Sequence, residues 1–219
     1  MKPTLFLGNK NYSSWSLRPW LALKWGGIDF DEKVIPLGGD GYGSAKKPEI
    51  LAVSPSGRVP ALHLGGTVIW DSLAICEWAA EQNPALWPSD PSTRAVCRSA
   101  AAEMHSGFGA LRRDLSMNIR RRAEPRTLPA DTLNDIALMT SRWDELLTSF
   151  EKSGPYLFGG RTIADAMYAP VCTRFRTYGV KLEGRARAYA DLILADAAFR
   201  EWEQAALTET WTIASTDAL

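Results

Sequence analysis

The stretch Asn11-Tyr12-Ser13-Ser14-Trp15-Ser16-Leu17-Arg18 sets three serines close together beside an arginine. It lies where a short apolar run, residues 4–8, gives way to a helical pattern over residues 19–26. A helix start leaves backbone N–H groups unpaired at the positive end of the helix dipole, and both favour an anion. A serine hydroxyl placed there can donate to that anion and activate it. The plainer use of one serine is to cap the helix. Ser16 is the expected cap, because Pro19 then falls in the first turn, where its missing N–H costs little. Ser13 and Ser14 are left in the loop, freer to face a ligand.

The elements that must hold these residues follow from apolar spacing. Residues 4–8 read as a buried strand. Leu17, Trp20, Leu21 and Trp25 follow helical spacing until Gly26-Gly27 stop it. Residues 30–35 read as a second strand. Residues 38–43 are glycine-rich, but no Gly-Lys-Ser/Thr follows, so they are not a phosphate loop. Residues 46–52 predict a short helix. Pro60 opens a strand over residues 61–64, Gly65-Gly66 form a hairpin turn, and residues 67–70 return. Asp71 or Ser72 then caps a helix carrying Leu73, Ile75, Trp78 and Ala79. This order makes a small α/β unit over residues 1–83.

Residues 84–92 hold three prolines and read as a linker. No strand pattern follows. Residues 94–116 predict one long helix, with Val96, Ala100, Met104, Phe108 and Leu111 on its apolar side. Residues 128–151 predict another, with Leu133, Ile136, Trp143, Leu146, Leu147 and Phe150. Thr162 and Asp165 fit a capping box ahead of Met167, Val171 and Phe175. Helices over 182–195 and 197–207 complete an all-α unit, residues 93–219.

Composition narrows the chemistry. Apolar residues make up 46% and charged residues 23% of 219, the balance of a soluble globular chain with room for a core. The formal net charge is zero, so no broad basic field invites nucleic acid. Three cysteines and two histidines, with no Cys-x-x-Cys spacing, argue against a zinc site or a dithiol redox motif. The odd cysteine count fits a reducing compartment. Neither a signal peptide nor an apolar run of about 18 residues is present, which points to a cytoplasmic protein without a membrane span.

Four motifs in order carry a family resemblance over essentially the whole chain. Ser13-Ser14-Trp15-Ser16-Leu17-Arg18 resembles the Ser-Ser-Cys-Ser turn of the zeta class of cytosolic glutathione S-transferases. Arg58-Val59-Pro60-Ala61-Leu62 resembles that family's Val-Pro-x-Leu segment, whose proline is cis. Asp71-Ser72-Leu73-Ala74-Ile75 resembles its acid-Ser-x-Ala-Ile segment, and Thr162 to Asp165 its capping box. The resemblance implies a thioredoxin-like α/β domain followed by an all-α helical bundle, and a bacterial, serine-type enzyme.

It also implies roles. Glutathione binds the first domain as co-substrate, with no metal. The backbone of Val59, before Pro60, pairs with the cysteinyl part like an added strand. Ser72 and the helix start hold the γ-glutamyl carboxylate and Asp71 its amine. Lys46, Lys47 or Arg58 meets the glycyl carboxylate, and Trp15 lines the same site. Ser13, with Ser14 as the alternative and Ser16 third, donates to the thiol. A free thiol has a pKa of about 8.5, and a donor that lowers it makes the nucleophile. A second, electrophilic substrate is expected against Met104, His105, Phe108 and Arg112. Met104 and Phe108 are equally well read as core, and Thr162 and Asp165 are structural.

Trp15 stands where the zeta pattern has cysteine, and its second arginine is missing after Arg18. The expected activity is therefore conjugation of glutathione to an electrophile. A zeta-type cis–trans isomerase and a non-catalytic glutathione carrier are the alternatives. A homodimer is implied, built on the helices beginning near Arg94 and Leu128.

Overall fold

The computed structural model describes residues 2–38, 47–124 and 126–219. Lys46 and most of the glycine-rich stretch lie outside the described residues. The first part alternates β1 (Thr4–Leu7), α1 (Ser14–Trp25), β2 (Asp31–Val34), α2 (Pro48–Leu51), β3 (Ala61–Leu64), β4 (Thr67–Trp70) and α3 (Ser72–Gln82). The sheet order is β2-β1-β3-β4. β1 runs parallel to β2, with Thr4 opposite Asp31, and antiparallel to β3, with Thr4 opposite His63. β3 and β4 form the expected hairpin, with Ala61 opposite Trp70. The Val59–Pro60 bond is cis. This is the thioredoxin-like layer: Leu5, Leu7 and Leu62 point inward beneath Leu17, Leu21 and Ile75 of α1 and α3.

The remainder is helical: α4 (Pro91–Ser106), α5 (Gly109–Asp114), α6 (Ala130–Phe150), α7 (Ile163–Thr177), α8 (Gly184–Ala195), α9 (Ala197–Thr208) and a short α10 (Ala214–Asp217). α7 is buried on nearly every side and packs on α1, α4 and α8. A capping box anchors its start. The Thr162 N–H and hydroxyl donate to Asp165 Oδ2 at 2.8 and 2.9 Å, while Leu157 N–H and Tyr189 Oη donate to Oδ1 at 3.3 and 3.0 Å.

Three expectations are corrected, and α10 is an element that apolar spacing does not reveal. α1 begins at Ser14, not near Pro19, and its cap is Ser13, whose Oγ accepts the Ser16 N–H at 3.3 Å. Ser16 is buried and takes the Gly8 N–H at 3.1 Å and the Ser13 hydroxyl at 2.8 Å. Pro19 consequently sits inside the helix, where packing on both sides tolerates its lost donor. The single helix over residues 94–116 is broken. Phe108 takes a left-handed backbone (φ 59°), and Arg112 folds back onto the carbonyls of Met104 and Gly107 that the break exposes. Val96 and Leu133, expected to face inward, are about half exposed. Finally, α10 has no apolar repeat; side-chain contacts to Asp217 hold it against the rest.

Removing Asp165 strands two backbone donors and two hydroxyls in the core. Asp165→Ala is expected to lower the unfolding free energy by about 3 kcal/mol, with Asp165→Asn intermediate. Chemical denaturation measures both, and a loss below about 1 kcal/mol would contradict this account of α7.

Candidate active site

A cavity of about 500 Å³ opens between the two parts of the chain. The sheet supplies one wall, through Arg58, Val59 and Pro60 before β3 and Trp70 at the end of β4. The start of α3 supplies Asp71 and Ser72, α1 supplies Trp15, and α4 supplies His105. Six of the predicted residues thus come together on one cavity: Trp15, Arg58, Val59, Pro60, Asp71 and Ser72. His105 is the one predicted second-substrate residue that lines it.

Local geometry explains the acid–serine pair. Asp71 holds φ at 78°, a conformation that costs a residue other than glycine about 1–3 kcal/mol. Its Oδ1 caps α3 by accepting the Leu73 N–H at 2.8 Å, and its Oδ2 lies 3.4 Å from His105 Nε2. Ser72 sits at the first turn with its Oγ buried and without a partner among the described residues. A buried hydroxyl left open on a cavity, beside a helix N-terminus, is suited to a carboxylate. Lys47, by contrast, donates to the Pro36 carbonyl at 3.1 Å and does not line the cavity.

The serines are buried, and none of the three lines the cavity. Ser13 has both its functions engaged: its oxygen takes the Ser16 N–H and its proton goes to Ser16 Oγ. Ser14 is different. It accepts from Arg174 Nη2 at 3.0 Å, which leaves its own hydroxyl proton to give. Arg174, on α7, was missed in the sequence. It falls on the same helical face as Met167 and Val171, and a cation at core spacing was the available signal.

Three guanidinium groups converge here. Arg18 and Arg112 cover the Trp15 ring at 4.5 and 4.9 Å, and Arg174 reaches Ser14. Arg18 is wholly buried, donates through Nε to Met167 O at 3.1 Å, and leaves both Nη atoms without partners among the described residues. Burial, reinforced by Arg112 and Arg174, pushes its pKa well below the usual arginine range. Burial, then Arg112, pushes Arg174 down to about 9. Met104 and Phe108 are buried in the core and do not line the cavity, while Arg112 acts through Trp15 and the α4 carbonyls.

Cys76, Cys97 and Cys172 are free and buried, and none lines the cavity. Burial raises all three thiols, Cys97 to about 12. Among the described residues no group of His, Cys, Asp and Glu is placed to hold a metal ion. Nor is any described helix long and apolar enough to cross a membrane.

A thioredoxin-like sheet joined to a helical bundle, with a cleft between them, defines the class; known proteins narrow it. A sequence model of the glutathione S-transferase N-terminal domain matches residues 12–82. Maleylacetoacetate isomerase of Pseudomonas aeruginosa is 31% identical over 207 residues, covering 90% of this chain and 93% of its own. A holo structure of a maleylpyruvate isomerase, a bacterial glutathione S-transferase of the zeta class, superposes with a TM-score of 0.72. It is 26% identical, over 95% of this chain and all of that one. A theta-class enzyme from Xanthomonas axonopodis, solved with glutathione bound, gives 0.64 at 26% identity, over 94% and 99% of the two chains. The chain belongs to the glutathione S-transferase family of enzymes, near its zeta class.

His105 is held below its ordinary value, first by burial and then by Arg18 and Arg112, against the opposing pull of Asp71. It is therefore neutral at pH 7. An NMR titration of its ring should give a pKa below about 6.5. Asp71→Asn should lower it further, since the favourable charge is lost. A rise in that variant would contradict this electrostatic assignment.

Proposed function

We propose that the chain activates glutathione through Ser14 and directs the thiolate at an electrophilic carbon of a small anionic molecule. The observation that carries this reading is the Arg174–Ser14 contact: Ser14 Oγ accepts at 3.0 Å and keeps its proton for the sulfur. Ser14 is also the first residue of α1, where the helix dipole favours a negative charge. Ser13 serves as the cap that fixes this start. Asp71 and Ser72 hold the γ-glutamyl end, Val59 the cysteinyl backbone, and Arg58 the glycyl carboxylate. His105 and the exposed face of Trp15 border the second substrate.

In conjugation the thiolate forms a C–S bond, and the displaced electron pair leaves with a departing group or moves onto an electron-withdrawing substituent. A second reading is favoured by a specific observation. Arg18, Arg112 and Arg174 meet beside the cavity with two free Nη atoms on Arg18, and relatives are named maleylacetoacetate and maleylpyruvate isomerases. In such an isomerisation the thiolate adds to a double bond, the new single bond rotates, and elimination returns the thiolate unchanged. The sequence departures at Trp15 and after Arg18 weigh less once these relatives are known, and the isomerase reading stands level with conjugation. Consumption of glutathione separates them: one equivalent per turnover in conjugation, none in isomerisation.

The assembly is proposed to be a homodimer through α4 and α6, where Val96, Leu133 and Leu138 are exposed. Light scattering at micromolar concentration measures it, and a monomer would overturn it. A cytoplasmic location is proposed from the three free cysteines.

The mechanism is tested by following thiolate absorbance of bound glutathione across pH. Ser14→Ala should raise the thiol pKa by about two units, equivalent to about 2.7 kcal/mol, and slow turnover while glutathione still binds by calorimetry. Ser13→Ala should instead cost about 1 kcal/mol of stability through the lost cap. Unchanged turnover in Ser14→Ala would overturn the serine assignment.

A further inference from the structure

The chain after α9 does not run out into solvent. It crosses back over the turn that precedes Ser13. Both carboxylate oxygens of Glu209 are engaged there, accepting the backbone N–H groups of Lys10 at 2.7 Å and Asn11 at 3.0 Å. Successive N–H groups converging on one carboxylate form a strong charge-assisted clamp. Further on, Asp217 accepts the Tyr12 hydroxyl at 2.9 and 3.0 Å and the Asn118 amide at 2.7 Å.

Arg120 locks the two contacts together. Its N–H donates to Asn11 Oδ1 at 2.9 Å, and its guanidinium reaches the Glu209 carbonyl, the Trp211 carbonyl at 2.8 Å and Tyr12 Oη at 3.1 Å. Asn11 and Asn118 are buried and joined at 2.9 Å. Gly38 fits beneath the crossing segment: a Cβ there would stand 2.6 Å from the Thr212 carbonyl oxygen.

We propose that residues 209–219 are a positioning strap for the thiol-activating turn, with Glu209 and Asp217 as its two fixing points. The proposal rests on the assignment of Ser14 above. Tyr12 is two residues from Ser14, and within the turn itself Tyr12 and Ser13 are held by N–H bonds to the Asn9 carbonyl at 3.1 and 2.8 Å. Those bonds set the curl of the turn but not its placement against α7, where Arg174 waits for Ser14. Asn11 makes part of that placement directly, through the Asn118 side chain and the Ile119 and Arg120 N–H groups; the strap completes it by fixing the Lys10–Asn11 backbone and the Tyr12 hydroxyl. Neither Glu209 nor Asp217 lines the cavity, so they act on the reaction through the turn and not on the substrate. A displacement of about 1 Å at a reacting group can cost on the order of a hundredfold in rate.

The test compares Asp217→Ala, Tyr12→Phe, their double variant and Asp217→Asn with the unaltered chain, all shown folded by circular dichroism and thermal unfolding. The readouts are the thiol pKa of bound glutathione, kcat and the glutathione dissociation constant. Asp217→Ala and Tyr12→Phe should each raise the thiol pKa by about one unit, a tenfold loss of thiolate below the pKa. kcat should fall in step while glutathione affinity changes less than about threefold. The double variant should lose less than the product of the two single losses, since both remove the Tyr12–Asp217 contact while each also gives up one of its own, to Asn118 or Arg120. Asp217→Asn, which keeps an acceptor for Tyr12, should recover most of kcat.

A folded Asp217→Ala variant with unchanged thiol pKa and kcat overturns the strap. So does a uniform loss of affinity and rate that Asp217→Asn fails to rescue. If Ser14→Ala leaves the thiol pKa unmoved, the serine assignment fails and the strap proposal falls with it. If Ser14→Ala moves it and Asp217→Ala does not, the strap alone fails.

Discussion

Three guanidinium groups, two of them buried and none paired with a carboxylate among the described residues, hold the candidate site in shape. The partners they do have are mostly backbone carbonyls: Met167 for Arg18, the end of α4 for Arg112, and Leu115 for Arg174. An arginine is the one side chain that keeps its charge at such depth and still offers several donors in a fixed plane. The helices that meet at the cavity are joined by these bonds. The desolvation cost of three like charges is partly met by those carbonyls and by the Trp15 ring, and what remains is a positive potential aimed at the site. That potential favours anions, so on the proposed function the same feature serves both the thiolate and an anionic electrophile.

Much of the framework could be read from the chain. Proline before an apolar run and the Gly65-Gly66 turn specify the hairpin because both act locally. The Thr162–Asp165 pair specifies the start of α7 for the same reason. What the sequence withheld depends on distant partners. Phe108 breaks the helix with a left-handed backbone, and Arg112 answers the carbonyls so opened, a contact that apolar spacing does not record. Ser13 rather than Ser16 caps α1 because the Gly8 N–H claims Ser16 from the adjoining strand. Pro19 argued for a later start, and packing around a largely buried first helix overrode it. Ser14 could be proposed but not ranked above Ser13, since the arginine that singles it out lies 160 residues away.

Conjugation and isomerisation make the same demand on this protein up to the addition step. Both need a thiolate at the end of α1 and an acceptor carbon held within reach of it. They diverge only in whether the adduct is expelled or released. Trp15, within about 5 Å of two guanidinium groups and edge-on to the neutral His105, lines the cavity, so on the proposed function its ring stands next to any adduct that forms there.

The depth of the three cysteines bears on how such a site survives its own chemistry. An electrophile concentrated beside a reactive sulfur will alkylate any other accessible thiolate. Here every protein thiol is buried and held protonated at neutral pH by its surroundings. On the proposed function the reacting sulfur is the one carried in by glutathione, which leaves with the adduct or is returned intact. The three cysteines then stay outside the bond being made, and repeated turnover leaves the protein's own sulfur unmodified.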